Sequence, residues 1–310
     1  MPANQADANP SLDLSGRVAV VTGAGGGLGR AEALALASAG ADVVVNDVSP
    51  AVKEVVDEIV AGGGRAALVR GDVGDAGVTR ELVGTAVRRF GGLDIVVNNA
   101  GVLRDRMLFS MSDDDWDLVI RVHLRGHFLL SRDAAAHWRE RSKARGGPIY
   151  GRLINTSSEA WLSGAVGQPN YAAAKAGIVA LTVSAARALG RYGVRANVIC
   201  PRARTPMTAE VFGEAPAEGT DPLSVEHVAP FVAFLASPAA DAINGQAFVV
   251  HGGMVALLAP PTVVRQFDAP GPTWTAADLA ASVGAHFDES GSDQMFANTE
   301  VFSLHKGGPA

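Results

Sequence analysis

The chain has 310 residues, 48% of them apolar and 19% charged, with a formal net charge of −6. That balance is too apolar for a disordered chain, and too acidic for a protein whose main partner is nucleic acid, which favours a clustered basic face. A single cysteine, Cys200, excludes a disulfide framework and fits a reducing compartment, with a buried inert thiol as its expected role.

The first sixteen residues, MPANQADANPSLDLSG, hold neither Lys nor Arg and no apolar run, unlike a secretory signal or an Arg-rich transit peptide. Residues 1–11 read as a disordered arm. No stretch reaches the ~20 apolar residues of a bilayer span, and the terminal KGGPA is not a peroxisomal address. The expectation is a cytoplasmic protein that binds neither membrane nor nucleic acid.

RVAVVT (17–22) is a short apolar run met at once by glycines, and AEALALASAG then follows helical spacing as far as Gly40. ADVVVND (41–47) reads as a strand, AVKEVVDEIVAGGG as a helix, AALVRGD as a strand, 75–90 as a helix and LDIVVNNAG (93–101) as a strand. Residues 112–140 read as one long helix, with Ser112 as N-cap and Asp115 three residues on. GRLINTSS (151–158), VRANVIC (194–200) and QAFVV (246–250) complete the strands, separated by helices over 170–190 and 224–236. Near-continuous Val/Ile runs suit strands covered on both faces, and each parallel neighbour requires a long crossover. The pattern predicts an α/β, doubly wound, seven-stranded parallel sheet with helices on both faces, spanning residues 12–258 without a linker. Residues 259–310 form an extension that packs back on the domain or on a neighbouring subunit; Thr275 with Asp278 can cap a short helix there, and the end from about Glu289 reads as disordered.

TGAGGGLG (22–29) lies where the first strand becomes the first helix, and places Gly23, Gly27, Leu28 and Gly29 in the turn. Such a turn lets the backbone approach a pyrophosphate at the positive end of the helix. Asp47, eighteen residues after Gly29, ends the second strand. Its carboxylate can accept from both ribose hydroxyls and repel a 2′-phosphate, so NAD is expected over NADP; a turn-forming role is the alternative. Asp72 and Val73 after the third strand could edge the adenine, or Asp72 could cap a helix.

In NYAAAKAG (170–177), Tyr171 and Lys175 stand four apart, and tyrosine occurs only three times in the chain. On one helix face the lysine ammonium can favour a phenolate, turning a phenol with a reference pKa of ~10 into a usable base. A phenol so tuned can exchange a hydroxyl proton while carbon exchanges hydride with a nicotinamide.

TGAGGGLG, the NNAG at 98–101, and Ser158 thirteen residues before Tyr-x-x-x-Lys resemble the short-chain dehydrogenase/reductase family over about 12–258. The resemblance implies a Rossmann-type subunit, assembled as a homo-tetramer or homo-dimer, with Asn99, Ala100 and Gly101 beside the cofactor. It implies that Ser158 holds the substrate oxygen, Tyr171 is the general acid/base, Lys175 also holds the nicotinamide ribose, and Thr205 meets the carboxamide. Two positions depart from the family. His123 fills the place of a catalytic Asn, where it can pass a proton on toward Lys175, and Arg202 replaces a glycine. His123 and His127 share a metal-capable spacing, but no third ligand is evident and no metal is expected, leaving His127 as a buried, hydrogen-bonded residue.

GVLRDRMLFSMSDDDW with VIRVHLRGHFLLSR is similar to the hydroxyacyl-CoA dehydrogenase part of peroxisomal type-2 multifunctional enzymes and to stand-alone bacterial relatives. That similarity implies NAD-dependent oxidation of a (3R)-hydroxyacyl-CoA in fatty-acid or steroid-side-chain catabolism. A free hydroxysteroid or other small alcohol is the alternative substrate, and a non-catalytic nucleotide sensor a third reading. Arg104, Arg106 and Arg202 are either contacts to CoA phosphates or solvated surface. Residues 206–226 read as a lid.

Overall fold

The computed structural model describes residues 10–208, 212–291 and 295–306; all but the last two residues of the arm expected over 1–11 lie outside the described residues. Eight strands form one sheet in the order β3-β2-β1-β4-β5-β6-β7-β8. In chain order they are β1 (Val18–Thr22), β2 (Asp42–Asp47), β3 (Ala66–Arg70), β4 (Ile95–Asn98), β5 (Gly151–Thr156), β6 (Val194–Pro201), β7 (Ala247–His251) and β8 (Met254–Leu257). The first seven run parallel, as the sequence predicts. The eighth was not expected: it turns back at Gly252 and pairs antiparallel with β7, from Phe248–Leu257 to His251–Met254. A strand of four residues with exposed Val255 and Leu257 carries only a weak periodic signal.

Strands β1, β4 and β5 are buried along their whole length, as expected where helices cover both faces. Edge strand β3 alternates buried and exposed positions. One apolar core on one face joins Leu36, Val43, Ile95, Val232 and Leu235. The core on the other face joins Val20, Leu82, Val96, Leu130 and Trp138. Strand order reverses between β1 and β4, and open α/β sheets bind ligands at the carboxyl ends beside such a reversal.

Helices α1 (Gly27–Ser38), α2 (Val52–Ala61) and α3 (Ala76–Phe90) are the crossovers of the first half. The expected long helix is real but not uniform: α4 (Asp113–Ile120) and α5 (Gly126–Arg145) flank a single π-turn over Arg121–Arg125. There the Gly126 N–H reaches the Arg121 carbonyl, five residues back. Ser112 caps α4 by accepting from the Asp115 N–H at 3.1 Å. Helix α6 (Ala160–Ser163) is short, and α7 (Pro169–Leu189) packs on β5 and β6. Together with the turn after it, α7 reaches the length and mean hydropathy (1.4) of a membrane span, contrary to the sequence expectation; its alanines explain the score, and it also carries buried Lys175 and Thr182.

The extension docks on the sheet end. Thr275 and Asp278 cap each other's backbone reciprocally at the helix Ala276–Leu279. The expected disorder from Glu289 does not extend through the described residues. The turn Glu300–Ser303 places Val301, 3% exposed, against Val198, Cys200 and Val249, and burying such a side chain is worth roughly 1.5–3 kcal/mol.

Candidate active site

A cavity of about 360 Å³ opens at the carboxyl ends of β1, β4, β5 and β6. Gly23, Gly27, Leu28, Asp47, Asn99, Ala100, Gly101, His123, Tyr171, Lys175 and Thr205 line it, so eleven residues singled out in the sequence meet there. Gly29 lies just beneath, and it must be glycine: a Cβ there would stand 2.3 Å from the Gly23 carbonyl oxygen. That absence of a side chain seats α1 directly on the loop. The N-cap of α1 is Gly26, which offers no capping side chain, so the first-turn N–H groups are available to an anion in the cavity.

Asp47 forms the turn foreseen as its alternative role, and it also lines the cavity. Its carboxylate accepts from the Gly25 N–H at 2.9 Å and the Ser49 N–H at 2.9 Å, shaping the turn, while facing the cavity. Asp72 and Val73 line an adjoining recess with Asn46, Val48 and Gly71. Asp72 caps no helix; it accepts from the Gly74 N–H and pairs with Arg121, and the cap of α3 is Asp75. The glycine turn, the exposed helix start, a carboxylate at the end of β2 and the lateral recess together fit a dinucleotide. When bound, a nicotinamide would supply the hydride acceptor or donor that no side chain here can provide.

Asn99 is held by its neighbours. The Thr22 hydroxyl accepts from the Asn99 and Ala100 N–H groups at 3.0 and 3.2 Å, and the Asn99 amide donates to the Thr22 carbonyl. Four buried side chains that were not among the expected site residues brace the surrounding elements. The Asn98 amide donates to Asn155 Oδ1 at 2.8 Å, and the Asn155 amide donates to the Thr182 hydroxyl at 2.8 Å. Asn170, fully buried, donates to the carbonyls of Arg104 and Asp115, tying the start of α7 to the loop before α4 and to the first turn of α4. Only the doubled Asn of the NNAG run hinted at this network.

Lys175 is 2% exposed, and its Nζ donates to the Thr156 carbonyl at 2.7 Å. Burial pulls its pKa down to about 7. Tyr171 lies on the same face of α7, and burial pushes its phenol up to about 12, with the Ser158 hydroxyl the one group acting to lower it. The expected depression of the phenol is therefore not a property of the bare cleft, because the lysine is itself starved of solvent and turned to a carbonyl. Ser158, half-buried, also accepts from the Ala160 N–H at 3.2 Å.

His123 sits in the π-turn with its ring edge-on to Tyr171, centroids 5.2 Å apart. Its Nε2 meets the Val102 N–H at 3.0 Å, and the Val102 carbonyl lies 2.8 Å away. Gly101 admits it: a Cβ at 101 would be 2.3 Å from His123 Cε1. Burial, then Lys175, hold its pKa well below the usual 6.5, so the ring is neutral, and Nδ1 has no partner among the described residues. His127 is buried as well and is pushed down to about 3 by burial, with Lys175 adding to it. No group of three metal-capable side chains occurs among the described residues.

Arg104 and Arg106 are exposed, each donating to the carbonyl one residue before it. Arg202 is neither solvated nor free for a phosphate, contrary to both readings: it is largely buried and forms a bidentate pair with Glu159. Cys200 is the inert thiol expected, fully buried and pushed up to about 12 by that burial. Of the stretch expected as a lid, Pro206, Met207 and Thr208 line the cavity, while 209–211 lie outside the described residues.

A family model described as enoyl-(acyl carrier protein) reductase matches residues 23–255. The hydroxyacyl-CoA dehydrogenase ChsB1 of Mycobacterium tuberculosis is 60% identical over 301 residues, covering 94% of this chain and 95% of that protein. The peroxisomal multifunctional enzyme type 2 of Mus musculus is 42% identical over 257 residues, 80% of this chain but only 33% of that longer protein. Among solved structures, a short chain dehydrogenase from Mycobacterium avium superposes with a TM-score of 0.83 at 45% identity, covering 92% of this chain and 99% of that one.

Proposed function

The chain belongs to the short-chain dehydrogenase/reductase family and is an oxidoreductase acting on CH–OH groups; from that premise we propose that it oxidises a (3R)-hydroxyacyl-CoA to the 3-oxoacyl-CoA with NAD, in fatty-acid or steroid-side-chain catabolism. The observation that carries the chemistry is that Tyr171 and Lys175 line the glycine-loop cavity together, with the Ser158 hydroxyl, just outside that lining, hydrogen-bonded to the Tyr171 phenol. The substrate class draws on the 60% identical hydroxyacyl-CoA dehydrogenase, which this chain matches over nearly its whole length.

In this reading Ser158 donates to the substrate oxygen and Tyr171 takes the hydroxyl proton as the carbinol carbon is oxidised. Lys175, buried and pinned to the Thr156 carbonyl, supplies a cation beside the phenol while it keeps its proton, which burial makes harder to hold. His123 holds the Val102 backbone and packs against the phenol, fixing its position rather than carrying charge. Asp47 selects NAD by accepting ribose hydroxyls and repelling a 2′-phosphate.

The same residues would serve a free hydroxysteroid or small alcohol. A panel of 3-hydroxyacyl-CoAs, free hydroxysteroids and sugar alcohols, each offered with NAD and with NADP, separates the readings. Turnover confined to thioesters supports the acyl-CoA assignment; no thioester turnover removes it and leaves the dehydrogenase. We also place the protein in the cytoplasm and as a homo-tetramer or homo-dimer, the latter supported by exposed apolar Val255 and Leu257 on β8 and Phe128 on α5.

A further inference from the structure

Glu159 follows Ser158 directly and opens α6, and Arg202 follows Pro201, which lines the cavity. Their side chains are 9% and 12% exposed. Arg202 Nε donates to Glu159 Oε2 at 2.6 Å and Nη2 to Oε1 at 2.6 Å, a planar fork-to-fork pairing. The remaining guanidinium donors leave the domain: Nη1 donates to the Leu304 carbonyl at 2.9 Å and Nη2 to the Val301 carbonyl. The same tail also touches α6 directly, where the Asn298 N–H donates to the Leu162 carbonyl at 2.7 Å. One buried guanidinium thus joins three segments that are remote in sequence: the loop carrying Ser158, the exit of β6, and the end of the C-terminal extension.

We infer that Glu159–Arg202 is a positioning pair that fixes the Ser158 hydroxyl against Tyr171 by tying the Ser158 loop to the docked tail, so that tail docking sets the catalytic geometry. Ser158 is held on one flank by buried Ser157, whose N–H donates to the Ile199 carbonyl at 2.7 Å and whose hydroxyl donates to the Lys175 carbonyl at 2.8 Å; the other flank is looser. Ser158 is half-buried, its hydroxyl accepts from the Ala160 N–H, and α6 is a single turn with no side-chain cap. A helix that short is not stable by itself and takes its place from what it packs against. Glu159 is locked by two charge-assisted bonds, and Leu162 by the tail, which leaves Ser158 one residue from a fixed point. Arginine suits the position because a lysine ammonium cannot span a carboxylate and two carbonyls in one plane.

This inference rests on the oxidoreductase reading but not on the substrate. It is tested with whichever secondary alcohol the wild type turns over, so a failed acyl-CoA assignment would not touch it. The variants are Arg202→Lys, which keeps the charge, and Glu159→Gln, which keeps the shape, both in the full chain and checked for folding by circular dichroism. Each is expected to lower kcat by ~10- to 100-fold, the scale of a small misplacement near the reacting atoms, with the KM for NAD within about 2-fold. Chymotryptic cleavage at exposed Phe302, followed by mass spectrometry, should accelerate in parallel. The alkaline limb of the rate profile should move to higher pH, because Ser158 is the group that lowers the Tyr171 phenol. Faster cleavage at Phe302 with kcat and the limb unchanged would make the pair merely structural and overturn the proposal. A kcat loss without a shifted limb or faster cleavage would overturn it too.

Discussion

Lys175 Nζ stands 5.3 Å from the centre of the Tyr171 ring, yet the phenol is pushed up to about 12 while the ammonium is drawn down to about 7. Burial dominates both shifts, since the cleft withholds the water that either charged form needs. The neutral phenol is therefore the resting form, and alcohol oxidation, which must hand a proton to it as phenolate, gains with rising pH. The rate of oxidation (kcat/KM) should climb from about pH 7 to about pH 10, and the reverse reduction should not. Tyr171→Phe should lower kcat by at least ~100-fold while NADH binding, followed by fluorescence, stays within a few-fold. Turnover in that variant close to wild type would remove the tyrosine from the chemistry.

His123 is neutral throughout the working range, because burial and the Lys175 charge hold its pKa well below 6.5. Its own titration should leave no limb between about pH 6 and pH 8. His123→Asn, which can still bond the Val102 backbone, should change the height of the rate profile without changing its shape there. His123→Leu cannot make that bond and should cost ~10-fold more than the Asn variant. A limb near pH 6.5 in the wild type that vanishes in His123→Asn would contradict this account.

Asp47→Ala removes the carboxylate that faces the cavity at the end of β2. NAD should lose ~10- to 100-fold in kcat/KM, the value of hydrogen bonds to a charged group, and NADP should gain by at least ~10-fold. A small loss of stability should accompany this, since the Gly25 and Ser49 N–H groups lose their acceptor. Initial rates with both cofactors, and a thermal melt, check each part. An unchanged cofactor ratio would show that the choice lies elsewhere.

Glu32 in α1 is fully buried, and neither carboxyl oxygen has a partner among the described residues. Burial raises its pKa from 4.5 to about 8. A raised carboxyl binds its proton more tightly folded than unfolded. Its contribution is thus fully present below about pH 4.5 and is lost as pH rises through about 8, amounting to a few kcal/mol. Denaturant unfolding at pH 5, 7 and 9 should show the wild type falling more steeply than Glu32→Gln, which cannot ionise. Parallel slopes for the two proteins would mean that Glu32 is ionised and paired.

Much of this site was legible in the chain because its parts are local. The glycine turn needs one strand end and one helix start, Tyr171 and Lys175 need four residues of one helix, and Asp47 needs only the end of an apolar run. Apolar runs and their spacing sufficed for the seven parallel strands, since burial on both faces leaves little choice of residue. Folding in three dimensions decided the rest. The π-turn that seats His123, the short edge strand β8 and the Asn98–Asn155–Thr182 brace each answer to neighbours far along the chain. Arg202 looked like a surface or phosphate-binding residue because its partners, Glu159 and the carbonyls of Val301 and Leu304, lie 43 to 102 residues away. The proton affinities of Tyr171 and Lys175 could not be read from a four-residue spacing either. They depend on how much water the assembled cleft admits, and solvent exclusion is a property of the packed whole.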